Sequence, residues 1–337
     1  MEYSPIEEIE AVLRGDNIGY FPTVIPLNPP FLDIMKRAGI YWPDAHRDAA
    51  LMAELAGMTN DDLGFNAVNV PFDMTVEAEA LGCETLWKDE PTATPQVKDK
   101  PLQDVSRLEF GDEVLTRGRF PVVLEAVRRL REERGKSVPV IPFIEGPFTI
   151  ACLVSGMNEM FKSMIRAPER ARWVLGRCTA LSILYARALL ERGAHCIIVL
   201  DPNVMGLTEK QFESLVLPCY REMADTIASF VILHICGDVG KLLDRIPESG
   251  FSAFSFDYPA VSVEQVKTSL KDRMRVIGSV PTVTHLLYGT RKDVFNISIS
   301  MIEQGTDLLA PSCFIAPETP IENAKAMRDA IQHWNDQ

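Results

Sequence analysis

The stretch Phe230–Gly237 reads FVILHICG, a short apolar run that ends in two residues of metal-binding type and stops at a glycine. Short apolar runs rich in β-branched residues and bounded by turn residues are typical of the buried strands of a parallel sheet. A second run, residues 307–310, leads in the same way to Cys313. Because the carboxyl ends of the strands of a barrel open on one face, we expect His234, Cys236 and Cys313 to converge there.

The predicted ligand set, one imidazole and two thiols, points to zinc and to a particular use of it. Three protein ligands leave a coordination position of zinc open, as in catalytic rather than structural zinc sites. Zinc deprotonates a coordinating thiol. Since two cysteine thiolates already offset the charge of the ion, an entering thiolate keeps much of its electron density. Nitrogen ligands alone would favour hydrolysis through a bound hydroxide. The set therefore predicts alkyl transfer onto sulfur.

Short apolar runs alternate with amphipathic helices over the C-terminal two thirds of the chain, which is the pattern of βα units around a parallel sheet. The predicted strands are Val138–Ile144, Cys196–Leu200, Phe230–Leu233, Ala253–Phe256, Arg275–Gly278, Asp307–Ala310 and, earlier in the chain, Gly19–Phe21 and Asn66–Val70. Eight strands predict an α/β fold, the (β/α)8 TIM barrel. We expect one barrel domain over residues 1–337, with an N-terminal helical extension and a polar, proline-bearing excursion near residues 88–113.

The bulk composition limits the classes of function. The chain has 337 residues, of which 47% are hydrophobic and 24% charged, and its formal net charge is −13 at pH 7. Nucleic-acid binding needs clustered Lys and Arg to neutralise phosphates, so this charge argues against it. The seven cysteines are scattered and odd in number, which favours reduced thiols in the cytoplasm. We expect no membrane helix, since no stretch approaches the ~20 apolar residues that a membrane span needs.

Acidic side chains follow three of the predicted strands. Glu145 follows Val138–Ile144, Asp201 follows Cys196–Leu200, and Asp257 follows Ala253–Phe256. Barrel enzymes keep their chemistry at the carboxyl ends of the strands, so these three are candidate catalytic residues. Asp201 and Asp257 have an alternative role as caps of the helices that follow. The cysteines that we expect to be small buried apolar residues are Cys152, Cys178, Cys196 and Cys219.

Two segments of the chain resemble the motifs of a known family. Leu233–Gly237 (LHICG) and Ala310–Pro320 (APSCFIAPETP) are similar to the zinc motifs of the methylcobamide:coenzyme M methyltransferases. That family belongs to the uroporphyrinogen decarboxylase superfamily of (β/α)8 barrels. The likeness covers most of the chain, and its other segments are Ala38–His46, Glu145–Thr149, Asp201–Pro202 and Pro320–Asn323.

The resemblance implies a fold of the uroporphyrinogen decarboxylase type and a specific reaction. Members of the family transfer a methyl group from a methylated corrinoid protein to a thiol, typically coenzyme M in methanogenesis. For this chain the resemblance implies that His234, Cys236 and Cys313 are the zinc ligands. It also implies that a methylcobamide is supplied by a partner protein and that the small thiol substrate is coenzyme M.

The three acidic residues receive candidate roles from their positions after strands. Glu145 is a candidate for a fourth, displaceable zinc ligand or for a residue that supports the ligands. Asp201 and Asp257 are candidates for orienting the ligands through hydrogen bonds, because residues behind a metal ligand fix its direction. We therefore expect all three at the same end of the barrel as the metal.

Two departures from the family pattern bear on the acceptor. Ser312 and Phe314 flank Cys313 where the family has glycines, and Asp238 stands where a basic residue is expected. A benzyl side chain beside the third ligand narrows the mouth or changes the acceptor thiol. If the basic residue holds the sulfonate of coenzyme M, its replacement weakens the case for that thiol.

Three alternatives stay open at this point. A relative could pass the methyl group to tetrahydrofolate, although a nitrogen acceptor calls for a proton source rather than a cysteine-rich metal site. A uroporphyrinogen decarboxylase-like enzyme needs no metal and uses an N-terminal arginine for its polycarboxylate substrate, whereas residues 22–30 contain none. A non-enzymatic barrel would act as a reactivator of the corrinoid protein or as a binding scaffold.

Overall fold

The computed structural model describes residues 3–22, 30–65, 67–98 and 108–337 of the chain. Two short strands, β1 (Thr85–Leu86) and β2 (Gln96–Val97), pair antiparallel outside the main sheet. Strand β2 falls in the predicted excursion near residues 88–113, of which residues 99–107 lie outside the described residues. The main sheet is all parallel, and its strands, in the same order in sequence and in space, are β3 (Phe143–Glu145), β4 (Ile197–Leu200), β5 (Val231–Ile235), β6 (Ala253–Phe256) and β7 (Arg275–Ile277).

Isolated bridges extend this sheet at both edges. Val68 pairs with Val140 on one side and Leu308 pairs with Ile277 on the other, both in the parallel sense. The chain therefore continues the wall of the barrel beyond the five regular strands. The two predicted strands at these edges, over residues 66–70 and 307–310, appear only as such bridges, and residue 66 lies outside the described residues.

Two prolines shorten the predicted strand Val138–Ile144. Proline has no backbone N–H to donate, so regular pairing begins only near the end of the segment. The carbonyls of Pro139 and Pro142 still accept hydrogen bonds, from the N–H of Val68 and of Ile198 respectively, each at 3.0 Å. The segment thus keeps its place between its two neighbours, and the regular strand is confined to Phe143–Glu145.

Side chains alternate along each strand between two hydrophobic clusters. On β4, Ile198 and Leu200 belong to the inner cluster, whereas Val199 belongs to the outer one. The inner cluster also unites Ala67 and Leu308 from the two edges of the sheet, so the sheet curves round to enclose it. A period of two between an enclosed core and a helix-covered face is the pattern of a barrel. The predicted α/β fold of the TIM-barrel type is confirmed.

Helices alternate with the strands and cover the outer face. They are α1 (Pro5–Arg14), α2 (Leu32–Ala38), α3 (Trp42–Ala45), α4 (Ala49–Leu63), α5 (Val76–Ala80), α6 (Phe120–Glu133), α7 (Pro147–Ser155), α8 (Met157–Arg166), α9 (Pro168–Glu191), α10 (Glu209–Gln211), α11 (Leu217–Thr226), α12 (Val263–Leu270), α13 (Arg291–Glu303) and α14 (Ile321–Asn335). The structure therefore supplies the alternation of strand and helix on which the barrel prediction rested.

Helix α1 closes the amino-terminal end of the barrel. Its residues Ile9, Val12 and Leu13 belong to the inner cluster. The helix begins with a capping box, in which the hydroxyl of Ser4 accepts from the N–H of Glu7 and the carboxylate of Glu7 accepts from the N–H of Ser4. The opposite, carboxyl end of the barrel is left for the polar side chains that follow the strands.

Helix α9 has the length and hydropathy that a membrane span would need. The expectation that no stretch of the chain is long and apolar enough is therefore wrong for this helix. Its apolar residues, such as Leu175 and Leu189, are buried, and the helix packs against β3, α7, α8 and α11. Packing on several sides explains why a barrel helix is apolar around much of its circumference.

The predicted strand Gly19–Phe21 is not formed. Gly19 has a left-handed φ of +81°, and its N–H donates to the side chain of Asn17 at 2.9 Å, which makes a local turn. The backbone of Phe21 pairs instead with the side-chain amide of Asn335 at the end of α14. A three-residue segment with a left-handed glycine offers too little extended backbone for a ladder, so this prediction is wrong.

Candidate metal centre

Three side chains with metal-binding atoms meet at the carboxyl end of the barrel. His234 Nε2 lies 3.1 Å from Cys236 Sγ, which lies 2.9 Å from Cys313 Sγ. The ligand atoms of all three lie within 4.8 Å of one another. His234 is the fourth residue of β5, Cys236 directly follows that strand, and Cys313 lies on the loop beyond residues 307–310. The structure brings together the three residues that the sequence singled out, while their binding of a metal stays a prediction.

The electrostatics of the two sulfurs fit a bound cation. The hydrogen bond from Cys236 and the imidazole of His234 lower the pKa of Cys313 to about 4. The same sulfur–sulfur hydrogen bond raises the pKa of Cys236, because its ionisation would place two anionic sulfurs 2.9 Å apart. A divalent cation removes that repulsion, and soft sulfur ligands with one imidazole are the donor set that zinc prefers.

The imidazole of His234 is oriented by a residue that sequence reasoning missed. Ser255 Oγ lies 2.9 Å from His234 Nδ1, and both side chains are buried. The two residues are register partners on β5 and β6. With Nδ1 engaged, Nε2 faces Cys236. Counting alternate residues along β6 from the inward-facing Ala253 leads to Ser255, so the pattern of the sequence contained this signal.

Asp257 supports the loop that carries Cys236. Its carboxylate accepts from the N–H of Gly237 at 3.2 Å. Gly237 has a φ of +79°, a conformation that favours glycine, and a Cβ there would lie 2.5 Å from Met205 Sδ. The following helix, α12, is capped by Ser262 instead. Of the two roles expected for Asp257, the contact therefore fits the orienting role and not the cap.

Asp201 binds the start of helix α7. Its carboxylate accepts from the N–H groups of Phe148 and Thr149, from the Thr149 hydroxyl and from the Tyr220 hydroxyl, at 2.7–3.2 Å. Burial raises the pKa of Asp201 to about 6, although these donors oppose the shift. Asp201 also contacts His234 through its backbone, because the N–H of Asp201 donates to the carbonyl of His234 at 3.0 Å. The side chain thus acts as a cap, though for the helix after the neighbouring strand β3.

Glu145 ends β3 as a buried carboxyl group, only 1% exposed. Among the described residues, neither of its carboxylate oxygens has a hydrogen-bond partner, and the residue is not a member of the three-ligand group. Its backbone N–H donates to Glu77 Oε1 at 2.8 Å. Burial and the charge of Glu77 raise the pKa of Glu145 well above its ordinary range, and burial raises the pKa of Glu77 to about 7.

Glu77 was missed by the sequence analysis. It lies on the short helix α5, which follows a loop rather than a strand. Its place at the mouth depends on how that helix packs against α6 and α7. No spacing of residues in the chain carries that information.

An ion-pair network lies beside the two buried glutamates. Arg119 donates to both carboxylate oxygens of Asp73 at 2.6 and 2.9 Å, to Glu79 at 2.6 Å and to the Thr75 hydroxyl at 2.7 Å. His46 Nδ1 lies 3.0 Å from the same Asp73 carboxylate. Burial opposes the ionisation of Asp73, but the hydrogen bonds from Arg119 and the charge of His46 hold its pKa well below the ordinary range. Arg119 is thus already engaged by other carboxylates.

A chamber of about 650 Å³ borders the loop that carries Cys313. Phe314 forms part of its wall and packs edge-on against Phe143, with ring centroids 5.2 Å apart. The benzyl group expected to narrow the mouth therefore shapes this chamber. The other apolar residues that line it include Trp42, Phe72, Met74, Leu153, Ile315 and Pro317.

The remaining cysteines behave as buried apolar residues. All four that were predicted to do so are buried, as is Cys83, whereas Cys236 and Cys313 are partly exposed. Burial raises the pKa of Cys152 and of Cys196 to about 12. This prediction is confirmed, and it leaves the thiol chemistry of the mouth to the two strand-end cysteines.

A family model, curated relatives and a solved structure all match nearly the whole chain. The family model described as uroporphyrinogen decarboxylase (URO-D) matches residues 4–334. A relative named methylated-thiol–coenzyme M methyltransferase, from Methanosarcina mazei, is 32% identical over 96% of this chain and 88% of its own. Another, the methylcobamide:CoM methyltransferase MtbA of Methanosarcina acetivorans, is 30% identical over 99% of both chains. The solved structure of a methyltransferase from Methanosarcina mazei has a TM-score of 0.94 at 31% identity, covering 98% of this chain and 99% of that one.

Proposed function

The chain belongs to the uroporphyrinogen decarboxylase (URO-D) family, and from this premise we propose that it transfers a methyl group from a methylated corrinoid protein to the thiol of coenzyme M. It is an enzyme, a methyltransferase. The observation that carries the proposal is the cluster of one imidazole and two thiols within 4.8 Å at the mouth of the barrel. Relatives that are 30–32% identical over nearly the whole chain bear the name of this activity.

The metal centre is built by five residues. His234 through Nε2, and Cys236 and Cys313 through Sγ, would hold a zinc ion. When bound, zinc with two thiolate ligands keeps an entering thiol deprotonated and nucleophilic at neutral pH. Ser255 engages Nδ1 of the imidazole and so keeps Nε2 directed at the sulfurs. Asp257 holds the backbone after Cys236 through one hydrogen bond.

The two other acidic residues receive different roles. Glu145 acts in this proposal as an acid–base residue, because it is a buried carboxyl group that faces the barrel interior without a hydrogen-bond partner in the described part of the chain. Asp201 acts as a positioning residue, since it ties the start of α7 to the end of β4 and holds the backbone of His234. Neither role requires contact with the metal.

A thiol other than coenzyme M is a second candidate acceptor. Coenzyme M carries an anionic sulfonate, while the chamber beside Cys313 is lined largely by apolar side chains. Asp238, at the position where the family pattern has a basic residue, accepts from the N–H of Gly240 at 2.9 Å. Both observations favour an acceptor without an anionic group. A test of the acceptor therefore has to compare anionic thiols with neutral thiols.

The methyl donor reaches this protein on a partner. Exposed apolar side chains lie in or beside the helical turns that follow β4 and β7, namely Met205 (45% exposed), Val283 (57%) and Tyr288 (79%). These turns begin at the carboxyl ends of the strands, as the metal cluster does, which supports the docking of a corrinoid protein at this end. We place the enzyme in the cytoplasm, because an oxidising compartment would join the sulfurs of Cys236 and Cys313 as a disulfide.

One assay tests the proposal. The purified, zinc-loaded protein is mixed without oxygen with methylcobalamin and, in turn, coenzyme M, 2-mercaptoethanol, ethanethiol or tetrahydrofolate, and formation of cob(I)alamin is followed by absorbance. We expect methyl transfer to a thiol. Faster transfer to coenzyme M than to ethanethiol supports the sulfonate thiol, and the reverse order supports the second candidate. Transfer to tetrahydrofolate and to none of the thiols would overturn the proposal.

A further inference from the structure

Glu77 and Glu145 form a pair of buried carboxyl groups at the mouth of the barrel. They are 2% and 1% exposed, and the backbone N–H of Glu145 donates to Glu77 Oε1 at 2.8 Å. In the part of the chain that the structure describes, both carboxylate oxygens of Glu145 are buried without a hydrogen-bond partner. Burying an ionised carboxylate without a partner costs roughly several kcal/mol of folding free energy. Glu145 therefore either carries a proton or binds a ligand.

The side chain of Glu145 faces the same interior as the metal cluster. Along β3 it follows Phe143, which belongs to the inner cluster, at the two-residue period of a strand. In the sheet, Glu145 is the register partner of Leu200, which is the register partner of His234. Two strand spacings put the backbones of Glu145 and His234 roughly 10 Å apart. In a barrel, side chains from alternate strands share one layer, so these two point at the same space.

The surroundings of the pair are mostly anionic. The carboxylates of Asp73 and Asp201 raise the pKa of Glu145 further, after burial and the charge of its partner. The neighbouring cation, Arg119, is bound to Asp73 and Glu79. Burial and then the charge of Glu77 raise the pKa of the buried Tyr185 hydroxyl on α9. Two further negative charges at this place would go uncompensated, so the pair shares at least one proton.

We propose that Glu77 and Glu145 act together as a proton-holding pair that takes up the proton of the acceptor thiol. The inference rests on the proposed function. In the resting enzyme the pair carries one proton and one negative charge. When the thiol binds, its S–H bond breaks, the electron pair stays on sulfur, and the proton forms a second O–H bond in the pair, which becomes neutral. The proton leaves to solvent after the product has left.

The pKa shifts of the two carboxyl groups support a pair that holds one proton at rest and takes up a second. A general base works best when its pKa lies near the working pH, and burial raises the pKa of Glu77 to about 7. Burial and the charge of Glu77 raise the pKa of Glu145 well above its ordinary range as well. The pair therefore holds its first proton in the resting enzyme, and it gains and loses its second proton near pH 7.

Infrared spectroscopy tests the resting state without any turnover. At pH 8, above the pKa of about 7 of Glu77, the zinc-loaded protein should show the carbonyl stretch of a protonated carboxyl group, and Glu145→Gln should remove it. Glu8→Gln is the matched control, because it removes a buried carboxylate from α1 at the other end of the barrel, and it should leave the band in place. Thermal unfolding verifies that each variant folds. A wild-type protein without the band contradicts the pair, as does a second bound metal ion per chain that Glu145→Gln abolishes.

Calorimetry of thiol binding tests the uptake. Binding of coenzyme M is measured at pH 7 in buffers of different ionisation enthalpy, which gives the number of protons released. Glu77→Gln and Glu145→Gln should each release up to about one proton more per chain than the wild-type protein and Glu8→Gln. Equal release from all four proteins would overturn the inference. If the two glutamate variants release more protons than the wild-type protein but no protein transfers a methyl group, only the proposed function is contradicted. If methyl transfer occurs but all four proteins release the same number of protons, only the role of the glutamate pair is contradicted.

Discussion

Cys313 supplies one of the two sulfurs of the cluster, and its substitution is the simplest test at the scale of a single residue. Cys313→Ala removes a ligand, so we expect loss of stoichiometric zinc and a fall in methyl transfer of more than about 100-fold, since even residues behind the ligands are worth about 10–100-fold. Zinc content by mass spectrometry and the cobalamin assay measure both effects. Cys152→Ala is the matched control: it empties a buried site in α7, which should lower the melting temperature but keep zinc.

Ser255 tests the orientation of the imidazole. Ser255→Ala removes the partner of His234 Nδ1, so the ring loses its fixed direction and we expect zinc affinity to fall by about 10–100-fold. Competition with a chromophoric chelator measures that affinity. The control is Ser298→Ala, because Ser298 is also buried but bonds to the carbonyl of Val294 within its own helix. Equal affinity of the wild-type protein and Ser255→Ala would show that the hydrogen bond has no bearing on the metal.

The sequence contained the positions of the three proposed ligands but not of all the residues that orient them. His234, Cys236 and Cys313 are found from strand ends, because the carboxyl end of every parallel strand opens on the same face. Ser255 follows from the same alternation, one strand further, and was overlooked. Glu77 could not be found, because its position depends on how a short helix folds over the mouth, and no periodicity records that packing.

The packing at the start of helix α7 can be tested by substitution of a glycine. Its start is held by Asp201, and a Cβ on the N-cap residue Gly146 would overlap that carboxylate. Gly146→Ala should therefore lower the free energy of unfolding by about 1–3 kcal/mol, as overpacking does. Gly176→Ala is the matched control, because Gly176 lies within α9 with nothing within 4 Å of an added Cβ. It should stabilise the protein by up to about 1 kcal/mol.

Urea unfolding of the two glycine variants gives the comparison. If Gly146→Ala proves as stable as the wild-type protein, the close approach of Asp201 to this helix is not a constraint. If it is destabilised and also loses zinc affinity, the link from Asp201 through its backbone to His234 is supported. The control separates these outcomes from a general effect of adding a methyl group.

At the level of elements, the sequence gives long periodic segments reliably and irregular ones poorly. Helix α9 runs without interruption over Pro168–Glu191, as a long amphipathic pattern predicts. The predicted segment Gly19–Phe21 failed, since a left-handed glycine turns the chain there. Pro139 and Pro142 remain in the barrel wall, where their carbonyls accept although they have no N–H to donate.

The stability of the whole molecule should depend on pH through Glu77. Its pKa is about 7 in the folded protein against an ordinary value of 4.5, so the folded state binds the proton more tightly than the unfolded state does. The stabilisation from this group is complete below pH 4.5 and is lost as the pH rises through 7. Relative to the wild-type protein, Glu77→Gln should gain about 2–3 kcal/mol between pH 5 and pH 8.

Urea unfolding at pH 5 and pH 8 measures that difference. The control is Glu322→Gln, an exposed position at the start of α14, whose stability relative to the wild-type protein should not change with pH. A constant difference between Glu77→Gln and the wild-type protein across this range would mean that the carboxyl group is ionised throughout in the folded state.

For the molecule as a whole, the barrel fold could be predicted from the sequence, but the range of residues in the barrel domain was harder to predict. Repeated βα units leave few arrangements other than a parallel barrel, and the inner cluster, which unites Ala67 with Leu308, bears this out. That residues 1–337 form one domain stays a prediction. The charge of −13 sets the sign of the surface field.

X-ray absorption at the zinc edge, before and after addition of coenzyme M, tests the central claim most directly. We predict one nitrogen and two sulfur ligands from His234, Cys236 and Cys313, and one additional sulfur ligand once the thiol is present. A protein that binds no zinc under reducing conditions, or one whose zinc is saturated by protein ligands and unchanged by the thiol, would contradict it.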